Sequence, residues 1–251
     1  MKQFTQDKLE IKIFQNREEM GKAAAEDAAR VIKRLLQEKE RLNVIFAAAP
    51  SQNEFLSALT KQDIDFSRIT AFHMDEYIGL PKDAPQGFGN FLRRSIFEKC
   101  PFAQIHYLNG QAEDPEEECR RYTELLRHAE VDIVFLGIGE NGHIAFNDPS
   151  VADFKDPKAV KTVALEEACR RQQVNDGCFA SLEEVPKTAM TLTIPTLMKT
   201  GFRFCMVPSA LKAQAVRDTV NGPVDEKCPA SILRTEGNSF LYLETESAQL
   251  L

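Results

Sequence analysis

The chain lacks a basic excess: 31 Lys and Arg stand against 38 Asp and Glu, a formal net charge of -7. That balance argues against a nucleic-acid or anionic-membrane partner, although a local basic pocket remains compatible with it. No apolar stretch approaches the roughly 20 residues of a membrane span. The N-terminus, MKQFTQDKLEIKIF, lacks the long apolar core of a signal peptide, so a cytoplasmic location is expected. C-x-x-C pairs are missing too. The six cysteines (Cys100, Cys119, Cys169, Cys178, Cys205, Cys228) lack the spacing of a structural metal site and read as reduced, mostly buried thiols. There is no internal repeat, low-complexity run or Gly/Ser linker. At 251 residues the expectation is one α/β domain over 1–251, long enough to bury a normal core.

What is present alternates between strand and helix patterns. LEIKIF (9–14), NVIFAAAP (43–50), ITAFHM (69–74), IHYL (105–108), VDIVFLGIG, TAMTLTI (188–194), FRFCMV (202–207) and SFLYLE (239–244) read as strands. Between the first two, Met20, Ala24, Ala28, Val31, Ile32 and Leu35 recur at three- and four-residue steps. They mark an amphipathic helix, with Asn16 and Glu19 as its capping arrangement. QNEFLSALTK, GFGNFLRRSIFEKC, DPEEECRRYTELLRHAE and LKAQAVRDTV are further helix patterns. Uniformly apolar strands separated by helices predict a Rossmann-like, mainly parallel sheet with helices on both faces. Residues 150–185 are polar and hard to assign, and in this layout could form a lid.

In such a sheet, ligands bind beyond the carboxyl ends of the strands. Three apolar strands end in residues suited to chemistry: Pro50-Ser51-Gln52-Asn53, Asp75-Glu76-Tyr77 and Glu140-Asn141-Gly142-His143. Gly137, Gly139 and Gly142 do not fit the dinucleotide spacing and no Walker lysine follows them. An isolated histidine in a glycine-rich turn is most often a structural hydrogen-bonder, and an isolated DEY a helix cap or solvated turn. Their convergence changes the reading. Glycines expose His143 to a ligand, Asp148 lies close enough to fix its tautomer, and Asp75 supplies a second acid/base from a neighbouring strand. A carboxylate base beside an oriented histidine suits proton abstraction next to a masked carbonyl, as in aldose–ketose isomerisation.

FHMDEYIGLP (72–81) and LGIGENGHIAFNDP (136–149) resemble two signature segments of the glucosamine-6-phosphate deaminase (isomerase) family. The likeness continues in the same order through YLNGQA (107–112), VPKTAMTLTIPTLM (185–198), SALKAQA and PASIL (229–233). It implies an amino-sugar phosphate isomerase/deaminase that makes a ketose phosphate and ammonia without metal or organic cofactor. By the same resemblance, Asp75 moves the proton between C2 and C1, His143 opens the pyranose ring, and Lys212 contacts the phosphate. Asn141 and Asp148 complete the expected catalytic set. Ser51, Gln52, Asn53 and Glu76 join Lys212 as expected substrate or phosphate contacts. Family members occur as monomers and as hexamers, so a homo-oligomer is open.

Four departures from the family pattern stand out. Asn141 takes a position where some members carry aspartate and others asparagine. Asp148 replaces a usual glutamate and is one methylene shorter. AAAPSQNE stands in place of a Thr-Gly-Gly-Thr-like phosphate cradle, and proline has no N–H to donate. A phosphate-binding arginine expected before VPK falls near NDG, leaving Arg170 and Arg171 out of register. The 6-phosphogluconolactonases share the fold, but their Asp-Glu-Arg and Gly-His-Thr-Ala-Ser wording differs from MDEY and GHIAFN. A lactonase-like hydrolase and a non-catalytic sugar-phosphate sensor are the alternatives.

Overall fold

A computed structural model describes residues 1–251. Along the chain run β1 (Lys2–Gln6), β2 (Leu9–Phe14), α1 (Arg17–Glu38), β3 (Leu42–Phe46), α2 (Asn53–Leu59), β4 (Ile69–His73), β5 (Asp75–Tyr77) and α3 (Phe88–Leu92). They are followed by β6 (Gln104–His106), α4 (Pro115–Arg127), β7 (Ile133–Leu136), β8 (Val160–Ala164), α5 (Glu167–Asn175) and β9 (Thr188–Leu192). The last elements are α6 (Ile194–Met198), β10 (Phe202–Val207), α7 (Ala213–Asn221) and β11 (Ser239–Glu244).

Eight strands form the main sheet in the order β1-β2-β11-β10-β7-β3-β4-β6. Every neighbouring pair is parallel except the β1–β2 hairpin. The apolar composition of the central strands has a direct cause. Val44 and Phe46 of β3 join one core cluster and Ile45 the other; Ile133 and Phe135 of β7 oppose Val134 and Leu136; Phe204 and Met206 of β10 oppose Cys205 and Val207. Successive side chains point to opposite faces, so a strand covered on both sides must be apolar throughout. Each fully buried large aliphatic or aromatic side chain contributes about 1.5–3 kcal/mol.

Helix α1 starts where predicted, with Asn16 accepting from the Glu19 N–H at 2.9 Å. Met20, Ala24, Ala28 and Ile32 form its buried stripe. Asp114 caps α4 by accepting the Glu116 and Glu117 N–H groups, and Pro115 occupies the first helical position, where no N–H is needed.

The mainly parallel α/β sheet is as expected, with two differences. β1 adds an antiparallel edge strand that its polar composition concealed. The stretch predicted as a strand at 188–194 does not enter the main sheet. Its ordered part, β9, lies between β5 and β8 in a separate three-stranded antiparallel sheet. Apolar periodicity reports burial but carries no information on which sheet a short strand joins. The segment 150–185, unassigned from sequence, supplies β8 and α5.

Candidate functional site

The chain order reverses between β7 and β3. From β3 it proceeds through β4 to β6 on one side; from β7 it proceeds through β10 to β11 on the other. This is the switch point at which parallel sheets open a crevice beyond their carboxyl ends. The crevice holds a cavity of about 60 Å³ whose walls include Ser51, Gln52, Asp75, His143, Gln173 and Lys212. Each strand at the reversal contributes: Ser51 and Gln52 follow β3, Asp75 follows β4, His143 follows β7, and Lys212 follows β10.

Asp75 is 5% exposed and its Oδ1 has no hydrogen-bond partner. Burial, reinforced by the neighbouring Glu76 charge, holds its pKa well above the ordinary carboxylate value. A carboxylate deprived of water and partners is a stronger base than a solvated one.

His143 is held from the side away from its free nitrogen. Its Nδ1 lies 2.7 Å from Asn141 Oδ1 and 3.1 Å from Asp148 Oδ1. Both partners are acceptors, so Nδ1 carries the proton and Nε2 keeps its lone pair for a ligand. Asp148 is in turn fixed by the Asn141 amide at 2.9 Å and by the Glu166 N–H at 3.1 Å. Burial pushes the Asp148 pKa upward, but contacts from His143, Asn141 and the Glu166 N–H outweigh it and leave the group below the usual carboxylate range. The two carboxylates of the site are therefore driven in opposite directions, one toward a base and one toward a permanent anion. The shorter aspartate reaches the imidazole without help because the loop itself is tight. The Gly139 N–H donates to the His143 carbonyl at 2.9 Å. A Cβ on Gly139 would fall 2.1 Å from His143 Cε1, so only glycine admits the ring. Gly142 adopts φ +84°, where other residues are strained. Ala145, which also lines the cavity, sits at φ 50° without that excuse, a local strain of the kind found at functional sites.

Lys212 is 4% exposed and its Nζ has no partner. Burial lowers its pKa against the opposing pull of Asp176 and Glu140. On the same cavity, Gln52 Nε2 donates toward the carbonyls of Leu136 and Met206 and Ser51 Oγ, while its Oε1 is left buried and unpaired. The loop after β3 thus presents the side chains of Ser51 and Gln52 to the cavity.

Two expected contacts are corrected. Asn53 is exposed at the start of α2 and does not line the cavity, because the helix turns it to solvent as Gln52 turns inward. Glu76 does not face the cavity with Asp75. As consecutive residues of β5 the two point to opposite faces, and the Glu76 carboxylate accepts the Tyr77, Phe88 and Gly89 N–H groups. It fixes the N-terminus of α3. Sequence reasoning missed Gln172 and Gln173, which α5 brings to the cavity; Gln172 Oε1 accepts the Glu140 N–H at 2.8 Å. Nothing in a polar helix pattern marks them. Neither nearby arginine replaces the absent one: Arg170 donates to the Leu182 and Val185 carbonyls, and Arg171 pairs with Glu167 on the surface.

The family of glucosamine-6-phosphate isomerases and 6-phosphogluconolactonases matches residues 15–242. The chain belongs to this family. Glucosamine-6-phosphate deaminases of Bacillus cereus (strain B4264) and Bacillus thuringiensis (strain Al Hakam) are each 34% identical over 226 residues, which span 90% of this chain and 84% of the relative. A monomeric glucosamine-6-phosphate deaminase of known structure is 31% identical and superposes with a TM-score of 0.87, covering 96% of this chain and 99% of the other. A 6-phosphogluconolactonase from Thermotoga maritima superposes at 0.76 with 18% identity, over 94% of this chain and 99% of that one; at that identity it shares the fold alone. Within the family, this member places an aspartate, an oriented histidine and a lysine on one cavity, with Ser51, Gln52, Gln172 and Gln173 among its walls. No helix is long and apolar enough to cross a membrane.

Proposed function

We propose that the protein converts an amino-sugar phosphate of the glucosamine 6-phosphate class, with water, to a ketose phosphate and ammonia. The observation that carries this reading is the shared cavity: an unpartnered buried carboxylate, Asp75, and a histidine with its Nε2 free, His143, with one buried ammonium, Lys212, on the same wall. Deaminase relatives at 34% identity support it.

The chemistry follows from the protonation states. His143 Nε2 takes the anomeric hydroxyl proton and returns it to the ring oxygen, so the C1–O5 bond breaks and the C1 aldehyde forms. Asp148 and Asn141 hold Nδ1–H throughout and stabilise the transient imidazolium. Asp75 then removes the C2 proton while the substrate's own 2-ammonium group gives up a proton to the C1 oxygen, and this gives an enolamine. Asp75 returns its proton to C1, leaving an iminium at C2. Water adds there and ammonia departs, giving the C2 ketone. Lys212 pairs with the phosphate, aided by Ser51 and the amides of Gln52 and Gln173. None of these steps calls for a metal or an organic cofactor, and one chain supplies every group. A cavity of about 60 Å³ lies below the ~300–1,000 Å³ of ordinary small-molecule sites. We assign residues 150–185, whose α5 carries Gln172 and Gln173, as the lid that moves to admit substrate.

The test is ammonia release from glucosamine 6-phosphate, galactosamine 6-phosphate and unphosphorylated glucosamine, with 6-phosphogluconolactone hydrolysis as a control. Turnover of a phosphorylated amino sugar that disappears in Asp75→Asn supports the reading. Binding of that sugar without release of ammonia, or lactone hydrolysis at enzymatic rates, overturns it.

A further inference from the structure

We propose that His143, Asp148 and Cys169 form an inhibitory site for a thiophilic divalent cation, with Zn2+ the ion that best matches the donor set. Two of the residues, His143 and Asp148, lie five positions apart in the loop between β7 and β8, and the third comes from α5. All are buried, and their ligand atoms lie within 4.8 Å of one another. His143 Nδ1 and Asp148 Oδ1 are already 3.1 Å apart. Zinc bonds of about 2.0–2.3 Å to nitrogen, oxygen and sulfur in a tetrahedral arrangement place neighbouring ligand atoms at about that spacing. Closing the cluster asks for a movement on the order of an ångström by the thiol. Imidazole, carboxylate and thiolate are all zinc ligands, whereas magnesium and calcium prefer oxygen alone. Water or Asn141 Oδ1, 2.7 Å from Nδ1, is placed to complete the fourth position.

The consequence for the protein lies in the tautomer of one ring. Without the ion, Nδ1 carries the proton and Nε2 is free. A cation on Nδ1 takes the electron pair that had held the proton there, so the neutral ring must carry its proton on Nε2, facing the cavity. His143 can then no longer accept a proton from a sugar hydroxyl, and Asp148 is drawn away from its orienting role. The proton balance is simple. The Nδ1 proton is relocated to Nε2, the Cys169 S–H bond breaks, and its proton leaves to solvent as the sulfur–metal bond forms. In the metal-free protein burial first, and then the Asp148 and Asp75 charges, hold the Cys169 thiol well above its ordinary pKa. That keeps it protonated and unreactive until a cation displaces the proton. The binding claim stands on geometry; only the inhibitory claim rests on the proposed role of His143.

The experiment uses the reduced full chain stripped with a chelator. Co2+ is added first as a spectroscopic probe, and Zn2+ is then titrated against a chromophoric chelator while activity is followed. The expected result is one tight equivalent and a thiolate-to-cobalt absorption band, both lost in Cys169→Ser and in Cys169→Ala but retained in Cys178→Ser and Cys228→Ser. Zinc should lower kcat by roughly 100-fold, the scale of losing one general acid–base, with KM little changed and full recovery on chelation. The Cys169 variants, each measured against its own metal-free rate, should resist. Using both variants guards against a folding defect in either, and circular dichroism checks each. A band or stoichiometry unchanged by Cys169 substitution overturns the site. Binding at Cys169 with no loss of rate overturns the inhibition. A protein without deaminase activity still shows or lacks the cobalt band, so failure of the proposed function is distinguishable.

Discussion

Replacing Gly139 by alanine tests the geometry of the His143 loop directly. The Gly139 backbone does not require a left-handed conformation, so alanine is accepted by the chain itself. The obstacle is the imidazole: an added Cβ would lie 2.1 Å from Cε1 and 2.3 Å from both ring nitrogens. Ordinary contact begins at 3.4 Å, so the ring must retreat by 3.4 − 2.1 = 1.3 Å at Cε1. A move of that size breaks the 3.1 Å contact with Asp148 or drives the ring into the cavity. Misplacement of a reacting group by about 1 Å costs on the order of 100-fold in rate, while overpacking costs about 1–3 kcal/mol of stability. Steady-state ammonia release should therefore show kcat reduced by about 100-fold. Urea unfolding should show a cooperative protein that is still folded. A Gly139→Ala protein with wild-type kcat would refute the placement of His143 against this glycine.

Other outcomes follow from the same site. Asp75→Asn should abolish turnover yet stabilise the protein at neutral pH. Its folded pKa is raised by burial and Glu76, so stability falls as pH climbs from the unfolded value through the folded one, and asparagine removes that loss. Denaturant midpoints of the two proteins should converge below about pH 3 and separate at neutral pH; equal midpoints at both would contradict the burial argument. Lys212→Met removes the cavity's free cation; losing a charged hydrogen bond of about 1.5–3 kcal/mol should raise KM for a phosphorylated sugar by about 10- to 100-fold. An equal rise for the unphosphorylated sugar would show that Lys212 does not read the phosphate. Because burial lowers the Lys212 pKa, that affinity should also decline at a lower alkaline pH than a solvated lysine would give. Asn141→Ala leaves Asp148 as the sole holder of Nδ1 and should lower kcat by about 10- to 100-fold with KM within about twofold, and an unchanged kcat would exclude the orienting role.

Much of this protein was legible along the chain because the relevant signals are local. The capped start of α1 is written in Asn16 and Glu19, and the two-sided burial of β3, β7 and β10 in their unbroken apolar runs. The placement of Asp75 and His143 beyond strand ends is likewise local, since each follows an unbroken apolar run in the chain. What the sequence could not state is which side chains meet. Glu76 looked equivalent to Asp75 until the pairing of β5 with β9 set them on opposite faces. Asn53 looked equivalent to Gln52 until α2 turned it to solvent. Gln172 and Gln173 sit in a polar helix with no pattern of their own, about thirty residues after His143, and reach the cavity wall only because α5 folds back over the strand ends. No residue spacing marks the approach of Cys169 to Asp148, because tertiary folding makes it. Local periodicity determined the elements and the two principal acid/base candidates. Long-range strand order, strand alternation and the docking of α5 decided the rest, since only contacts distant in sequence fix which groups share one cavity.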